Sequence, residues 1–245
     1  MCIRDSGIAV IFDVVYNHIS NIDSSFWHFD DGTVNSYLSS FETPWGLSPA
    51  FWQNGIKDFF LSNMNMYFNE FNGDGIRFDS TRYIEYNRGL GNDGWEFMQY
   101  LTWFSKMYYP GKYLIAEHVP PNDNIINSAG FHATWYNPVY ESLFKALNGD
   151  NPVENIKNSI GLDFGYGNSY TYSWNLVKYL LGSHDECGDM NNGNNGHRYY
   201  VERFGGRDNW FARAKSRMAW ALNISAMGSP MLLSLIHISE PTRPY

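Results

Sequence analysis

Asp79 closes a short apolar run, Gly73-Asp-Gly-Ile-Arg-Phe-Asp79, two residues after Arg77. Glu117 closes another, Tyr113-Leu-Ile-Ala-Glu117, and His184-Asp185 follows a third, Leu176–Leu181. Asp13, Asn17 and His18 stand within or just after the first apolar run, Ile-Ala-Val-Ile-Phe-Asp-Val-Val-Tyr-Asn-His. If these runs are parallel strands, their C-terminal ends share one rim and the carboxylates converge there. Three convergent carboxylates suit the chemistry of a glycosidic bond: one attacks, one donates a proton to the leaving oxygen, and one steadies the positive charge that develops at the sugar. Each residue also fits a plainer role. Asp13 could orient His18 or cap a turn, Asp79 could cap a helix, Glu117 could sit at a helix N-terminus, and a lone histidine is more often structural. The weight rests on the ordered set.

The elements that must carry these residues follow from apolar spacing. A continuous β-branched run from Gly7 reads as a strand buried on both faces, as in a parallel sheet. Ile19–Gly55 has no sustained period and reads as a long functional loop, within which Thr43-Pro-Trp-Gly46 is a turn able to present an indole to a ligand. Phe59, Phe60, Met64, Tyr67, Phe68 and Phe71 are spaced as the apolar face of a helix from about Ile56, which Gly73 and Gly75 end before the strand Ile76–Asp79. A helix over about Gly94–Tyr109 leads to the strand ending at Glu117. A strand over Phe131–Tyr136, a helix over Val139–Leu147, a loop over Gly161–Trp174, the strand Leu176–Leu181, a second long loop around Asn191–Gly196, a helix over about Asn209–Met227 and a strand starting near Gly228–Leu233 complete the alternation. Such alternation, with polar residues at strand ends, predicts a parallel α/β fold.

Composition narrows the function classes. A net charge of −8 and the lack of a basic run argue against nucleic acid as partner. No apolar stretch is long enough to span a bilayer, so no membrane partner is expected. Cys2 and Cys187 are the only cysteines, too few for a disulfide framework. Aromatic residues make up 18% of the chain, which suits stacking on sugar rings and serves a core equally well. The lack of a signal peptide favours the cytoplasm, an inference that needs a true N-terminus.

Taken together, Asp13-Val-Val-Tyr-Asn17-His18, Gly75-Ile-Arg77-Phe-Asp79, Glu117 after an apolar strand and His184-Asp185 after another resemble the four signature regions of the α-amylase superfamily, in their usual order. The resemblance implies a (β/α)8 barrel of the TIM type with a long excursion after strand three, where Ile19–Gly55 falls. It implies Asp79 as nucleophile and Glu117 as general acid and base, its pKa raised by burial and neighbouring negative charge. It assigns Asp185 to the sugar hydroxyls and the oxocarbenium-like state, His18 and His184 to hydrogen bonds donated to the sugar, Arg77 to holding Asp79 ionised, and Asp13 and Asn17 to support. The partner implied is an α-glucan polysaccharide or oligosaccharide. No cofactor is implied; some amylases bind calcium near the Asn17 position, but no compact Asp/Asn ligand loop here demands it.

Within the superfamily, Leu114-Ile-Ala-Glu117, Phe131-His-Ala-Thr-Trp135, Ser183-His-Asp-Glu186 and Gly206-Arg-Asp-Asn-Trp210 look most like 1,4-α-glucan branching enzymes. Thr43-Pro-Trp-Gly46 and Asp13-Val-Val-Tyr-Asn-His18 are equally at home in trehalose-releasing and debranching hydrolases, so hydrolysis is the alternative expectation. A noncatalytic sugar-binding relative is the third, against which the complete acid set speaks. Residues 1–6 and 234–245 resemble translated sequencing-adapter DNA; a natural Pro-containing tail is the alternative for the latter. The expectation is therefore an incomplete barrel over residues 7–233, from about strand three to the start of strand eight, with low stability and little activity in isolation.

Overall fold

The computed structural model describes residues 7–20, 37–89, 91–136, 138–160, 175–178, 183–185, 200–226 and 228–231. The chain divides between Thr134 and Trp135 into two compact units. The expected loops over Gly161–Trp174 and Asn191–Gly196, residues 179–181 of the predicted strand, Glu186 and both adapter-like ends lie outside the described residues.

In the first unit, β1 (Ile11–Val14), β4 (Gly75–Phe78), β5 (Tyr113–Ala116) and the first two residues of β6 (Ala133–Trp135) are the parallel strands. β4 pairs with β1 on one side and with β5 on the other. β5 continues to β6 through Ile115 with Ala133 and Ala116 with Thr134. Between β1 and β4 come β2 (Leu38–Thr43), β3 (Gly46–Pro49), α1 (Asn54–Asn65) and a π-helical turn, Met66–Glu70. α2 (Thr81–Tyr86) and α3 (Asp93–Tyr108) separate β4 from β5, and the short α4 (Asn124–Asn127) precedes β6.

The core explains the elements. On α1, Ile56, Phe60, Leu61 and Met64 are buried, and on α3 so are Phe97, Met98 and Leu101, at the three- and four-residue spacings of one helix face. They pack with Ile76 and Phe78 of β4, Leu114 of β5 and Val14 of β1. Because successive strand side chains point to opposite faces, Arg77 points away from Ile76 and Phe78. All four residues of β4 are buried, so this arginine is buried too, and it needs anionic partners.

Three expectations need correction. The first apolar run is not a strand buried on both faces: within it only Ile11–Val14 forms a strand, and Ile8, Ile11, Asp13 and Val15 are exposed. β1 has β4 as its strand neighbour among the described residues, so its far side lacks the cover that a central strand receives. Ile19–Gly55 is not wholly loop. β2 and β3 pair antiparallel within it, turning at Pro44-Trp45, where Thr43 Oγ1 donates to the Gly46 carbonyl at 2.8 Å and accepts from Trp45 N–H at 3.2 Å. Its last residues, Asn54 and Gly55, already belong to α1. Phe59 and Phe71 share the expected spacing but face outward, at 47% and 50% exposure.

In the second unit, α5 (Pro138–Leu147) and α6 (Pro152–Ile160) precede β7 (Leu176–Lys178), and α7 (Tyr200–Arg203) and α8 (Trp210–Ser225) precede β8 (Ser229–Pro230). β7 and β8 run parallel, and Tyr136 N–H donates to the Val177 carbonyl. Asn209 caps α8, its side chain accepting from the backbone N–H groups of Phe211 and Ala212. Buried Tyr200 packs against Tyr140 and Phe144, and the Arg203 guanidinium lies 3.5 Å from the centre of the Phe144 ring.

Candidate active site

The strand register brings the site residues of the first unit together. Asp13 on β1 is level with Arg77 on β4, and Phe78 is level with Ala116 on β5. The ladder extends one step further, Asp79 N–H donating to the Val14 carbonyl and Glu117 N–H to the Phe78 carbonyl, both at 2.9 Å. Asp79 and Glu117 thus leave neighbouring strands at the same height. This follows from two short apolar runs of equal length, each closed by a carboxylate.

Arg77 joins them. Its Nη1 donates to Asp13 Oδ1 at 2.6 Å and to Asp79 Oδ1 at 2.9 Å, and its Nη2 donates to Glu117 Oε2 at 2.5 Å. The Arg77 side chain is 6% exposed, against 51% for Asp13, 23% for Asp79 and 16% for Glu117. The cation is therefore the buried member, and Asp13 is the solvent-facing one. Burial opposes the charge on Arg77, but Glu117, Asp13 and Asp79 outweigh it and raise the guanidinium above its usual range.

Asn17 and His18 complete one side. Asn17 Nδ2 donates to the Asp79 carbonyl and to Asp79 Oδ2, each at 2.8 Å. Both partners only accept, so the orientation of the amide is fixed and its Oδ1 faces His18 Nδ1. An amide oxygen also only accepts, which places a proton on Nδ1. Burial lowers the His18 pKa against the pull of Asp79, favouring the neutral ring with Nε2 as an acceptor. Trp45, 54% exposed, lies 5.6 Å from the His18 ring and 5.3 Å from that of Tyr83.

On the other side, Ser80 N–H donates to Glu117 Oε2 at 2.9 Å. The sequence singles out neither Ser80 nor Tyr83; the signal available is their place one and four residues after Asp79. His184 and Asp185 lie in the second unit, both about half exposed, with His184 Nε2 3.3 Å from Asp185 Oδ1. Asp185 N–H donates to Ser183 Oγ, and the Trp135 indole meets the His184 ring edge-on. Among the described residues no group of three His, Cys, Asp or Glu is arranged to hold a metal ion. At the centre of the carboxylates in the first unit stands Arg77.

A parallel sheet with helices, whose strand ends carry paired carboxylates around a buried arginine, defines an α/β fold with a site suited to acid–base and nucleophilic chemistry. In sequence the chain is similar to α-amylase-family enzymes, 1,4-α-glucan branching enzymes among them, although no family model matches it. It is 37% identical over 82 residues to malto-oligosyltrehalose trehalohydrolase of Saccharolobus solfataricus, covering 32% of this chain and 14% of that protein. To the 1,4-α-glucan branching enzyme of Fusobacterium nucleatum it is 34% identical over 119 residues, covering 46% and 19%. The branching enzyme of Gloeobacter violaceus is matched more broadly, at 26% identity over 76% of this chain and 28% of its own length.

Among solved structures, type I pullulanase from Bacillus subtilis complexed with maltose superposes with a TM-score of 0.70 at 18% identity, over 94% of this chain and 34% of that one. Cyclic α-maltosyl-(1→6)-maltose hydrolase from Arthrobacter globiformis gives 0.67 at 16%, over 95% and 52%. At these identities the likeness is one of fold. The chain spans less than a third of the length of each curated relative named here.

Proposed function

We propose that this chain carries the catalytic residues of a retaining α-glucan-active enzyme of the 1,4-α-glucan branching type. In this reading residues 7–233 supply the strands of a (β/α)8 barrel from about strand three to the start of strand eight, and the enzyme is cytoplasmic. The observation that supports it best is Arg77 holding Asp79 and Glu117 side by side at the ends of adjacent parallel strands. Retention requires two carboxyl groups about 5–5.5 Å apart, close enough for one to reach C1 while the other reaches the leaving oxygen.

Asp79 is the proposed nucleophile, paired with Arg77 and aimed by the Asn17 amide. Glu117 protonates the departing oxygen and then takes a proton from the acceptor. Asp185 binds sugar hydroxyls and steadies the oxocarbenium-like state, with His184 hydrogen-bonding the sugar. His18, protonated on Nδ1, offers Nε2 to a sugar hydroxyl when neutral and donates from it when charged. Asp13 shares Arg77 and keeps its charge balanced.

The acceptor decides the product, since a glucan hydroxyl gives a branch and water gives hydrolysis. The trehalohydrolase match favours hydrolysis as a second reading. Incubating the full-length protein with amylose and following it by proton NMR separates them: new α-1,6 linkages are expected, and reducing ends without new branches would hand the case to a hydrolase. Asp79→Asn should abolish turnover of either kind, by at least about 10³-fold for a lost nucleophile, while its circular dichroism stays unchanged.

A further inference from the structure

His118 follows Glu117 directly, is wholly buried, and has no part in the roles above. Its Nδ1 lies 3.0 Å from Thr81 Oγ1, and that hydroxyl donates to the Glu117 backbone carbonyl at 2.8 Å. A hydroxyl has one hydrogen to give. With it committed to Glu117, the contact to the imidazole is donated by the ring, so Nδ1 carries a proton. Nε2 faces Glu85 Oε2 and Arg82 Nη1, each at 3.4 Å, and Arg82 Nη1 donates to Glu85 Oε2 at 2.7 Å. Contact with His118, together with the Arg82 charge, outweighs burial and holds Glu85 below the usual carboxylate range.

The same turn holds Glu117 at two further points. Thr81 N–H donates to its carbonyl at 2.8 Å and Ser80 N–H to its Oε2 at 2.9 Å. Ser80 is left-handed, with φ 41° and ψ 50°, a conformation rare for a residue with a Cβ. Turns of this kind aim successive N–H groups into one concavity, and here the concavity holds Glu117.

We infer that Thr81 and His118 are positioning residues for Glu117: the buried chain Glu85–His118–Thr81 fixes the Glu117 peptide and so the direction in which its carboxyl enters the site. The inference rests on the reading of Glu117 as the acid. In the first half-reaction the Asp79 carboxylate bonds to C1 as the C1–O bond breaks, and the Glu117 proton passes to the leaving oxygen. A glycosyl fluoride forms the same bond to Asp79 but loses fluoride, which leaves without that proton. Misplacing the acid therefore penalises a glucan and spares a fluoride.

The test compares kcat/KM, which reports this first half, for an α-1,4-glucan and for α-maltosyl fluoride in the full-length protein. Thr81→Val and His118→Gln are expected to lower the glucan value about 10- to 100-fold while the fluoride value falls less than about threefold. Thr81→Ser keeps the hydroxyl and should restore glucan turnover. Equal losses on both substrates, or none on either, overturn the inference. If Thr81→Val does not fold, His118→Gln against Thr81→Ser decides by the same ratio. A wild-type protein that turns over neither substrate would instead remove the reading of Glu117 as acid, and this inference with it.

Discussion

At the scale of single residues, the site is a problem of holding like charges together. Asp13 and Asp79, and Glu117 once it has given up its proton, would repel one another without the buried guanidinium of Arg77. Arg77→Lys keeps the charge but loses the planar fork that reaches both sides of the site. His18 gives this electrostatic argument a pH dependence. Burial lowers its pKa below the ordinary 6.5, although Asp79 pulls it upward. The unfolded chain therefore binds the proton more readily than the folded one. The stability that the neutral ring contributes is complete above about pH 6.5 and is lost as pH falls toward the lower folded value. The expected NMR titration of His18 has its midpoint below 6.5. A midpoint above it would mean that the attraction of Asp79 outweighs burial, and one above neutrality would make the ring a charged donor at neutral pH.

At the scale of elements, the site depends on the spacing of β4 and β5, and Gly75 guards it. A Cβ there would stand 2.4 Å from the Tyr113 carbonyl oxygen, which is backbone and cannot swing aside. Gly75→Ala is thus expected to push β4 from β5, lowering stability by about 1–3 kcal/mol and parting Asp79 from Glu117. Urea denaturation beside glucan turnover checks this, and an alanine variant with unchanged midpoint and activity would refute it. The sequence was most readable where one period dominated. The β4 and β5 runs, α3 and the start of α8 appear within a residue or two of their expected bounds, because apolar spacing is a local signal. The β2–β3 hairpin was announced by its turn at Pro44-Trp45, but the alternation of its strands is broken by a register irregularity between Leu38 and Glu42. α6, unforeseen, carries the polar sequence Pro-Val-Glu-Asn-Ile-Lys-Asn-Ser-Ile, in which Val153, Ile156 and Ile160 recur at helical spacing but are outnumbered by polar residues. In the site, the carboxylates and Arg77 could be named from strand ends alone. Thr81 and His118 could not, because their value lies in contacts 36 and 37 residues apart.

At the scale of the whole molecule, the question is what covers β1. Ile8, Ile11 and Val15 are 61%, 42% and 50% exposed, and β4 is the neighbour that β1 has among the described residues. Parallel strands are ordinarily covered on both faces and paired on both sides, so a strand left in this condition offers apolar side chains and unpaired backbone groups to any other chain. A formal charge of −8 opposes association through repulsion without supplying the missing burial. The 245-residue chain by itself is therefore expected to bind a hydrophobic dye such as ANS in its native buffer and to unfold over a broad temperature range. Lys substituted for Ile11 and Val15 should reduce dye binding while leaving Asp79 and Glu117 on their strands. In the full-length protein the proposed barrel would place a further strand beside β1, and dye binding should then be low without any substitution. A single sharp calorimetric transition of the 245-residue chain with no dye binding would show that β1 is already covered, and the case for a missing neighbouring strand would fall.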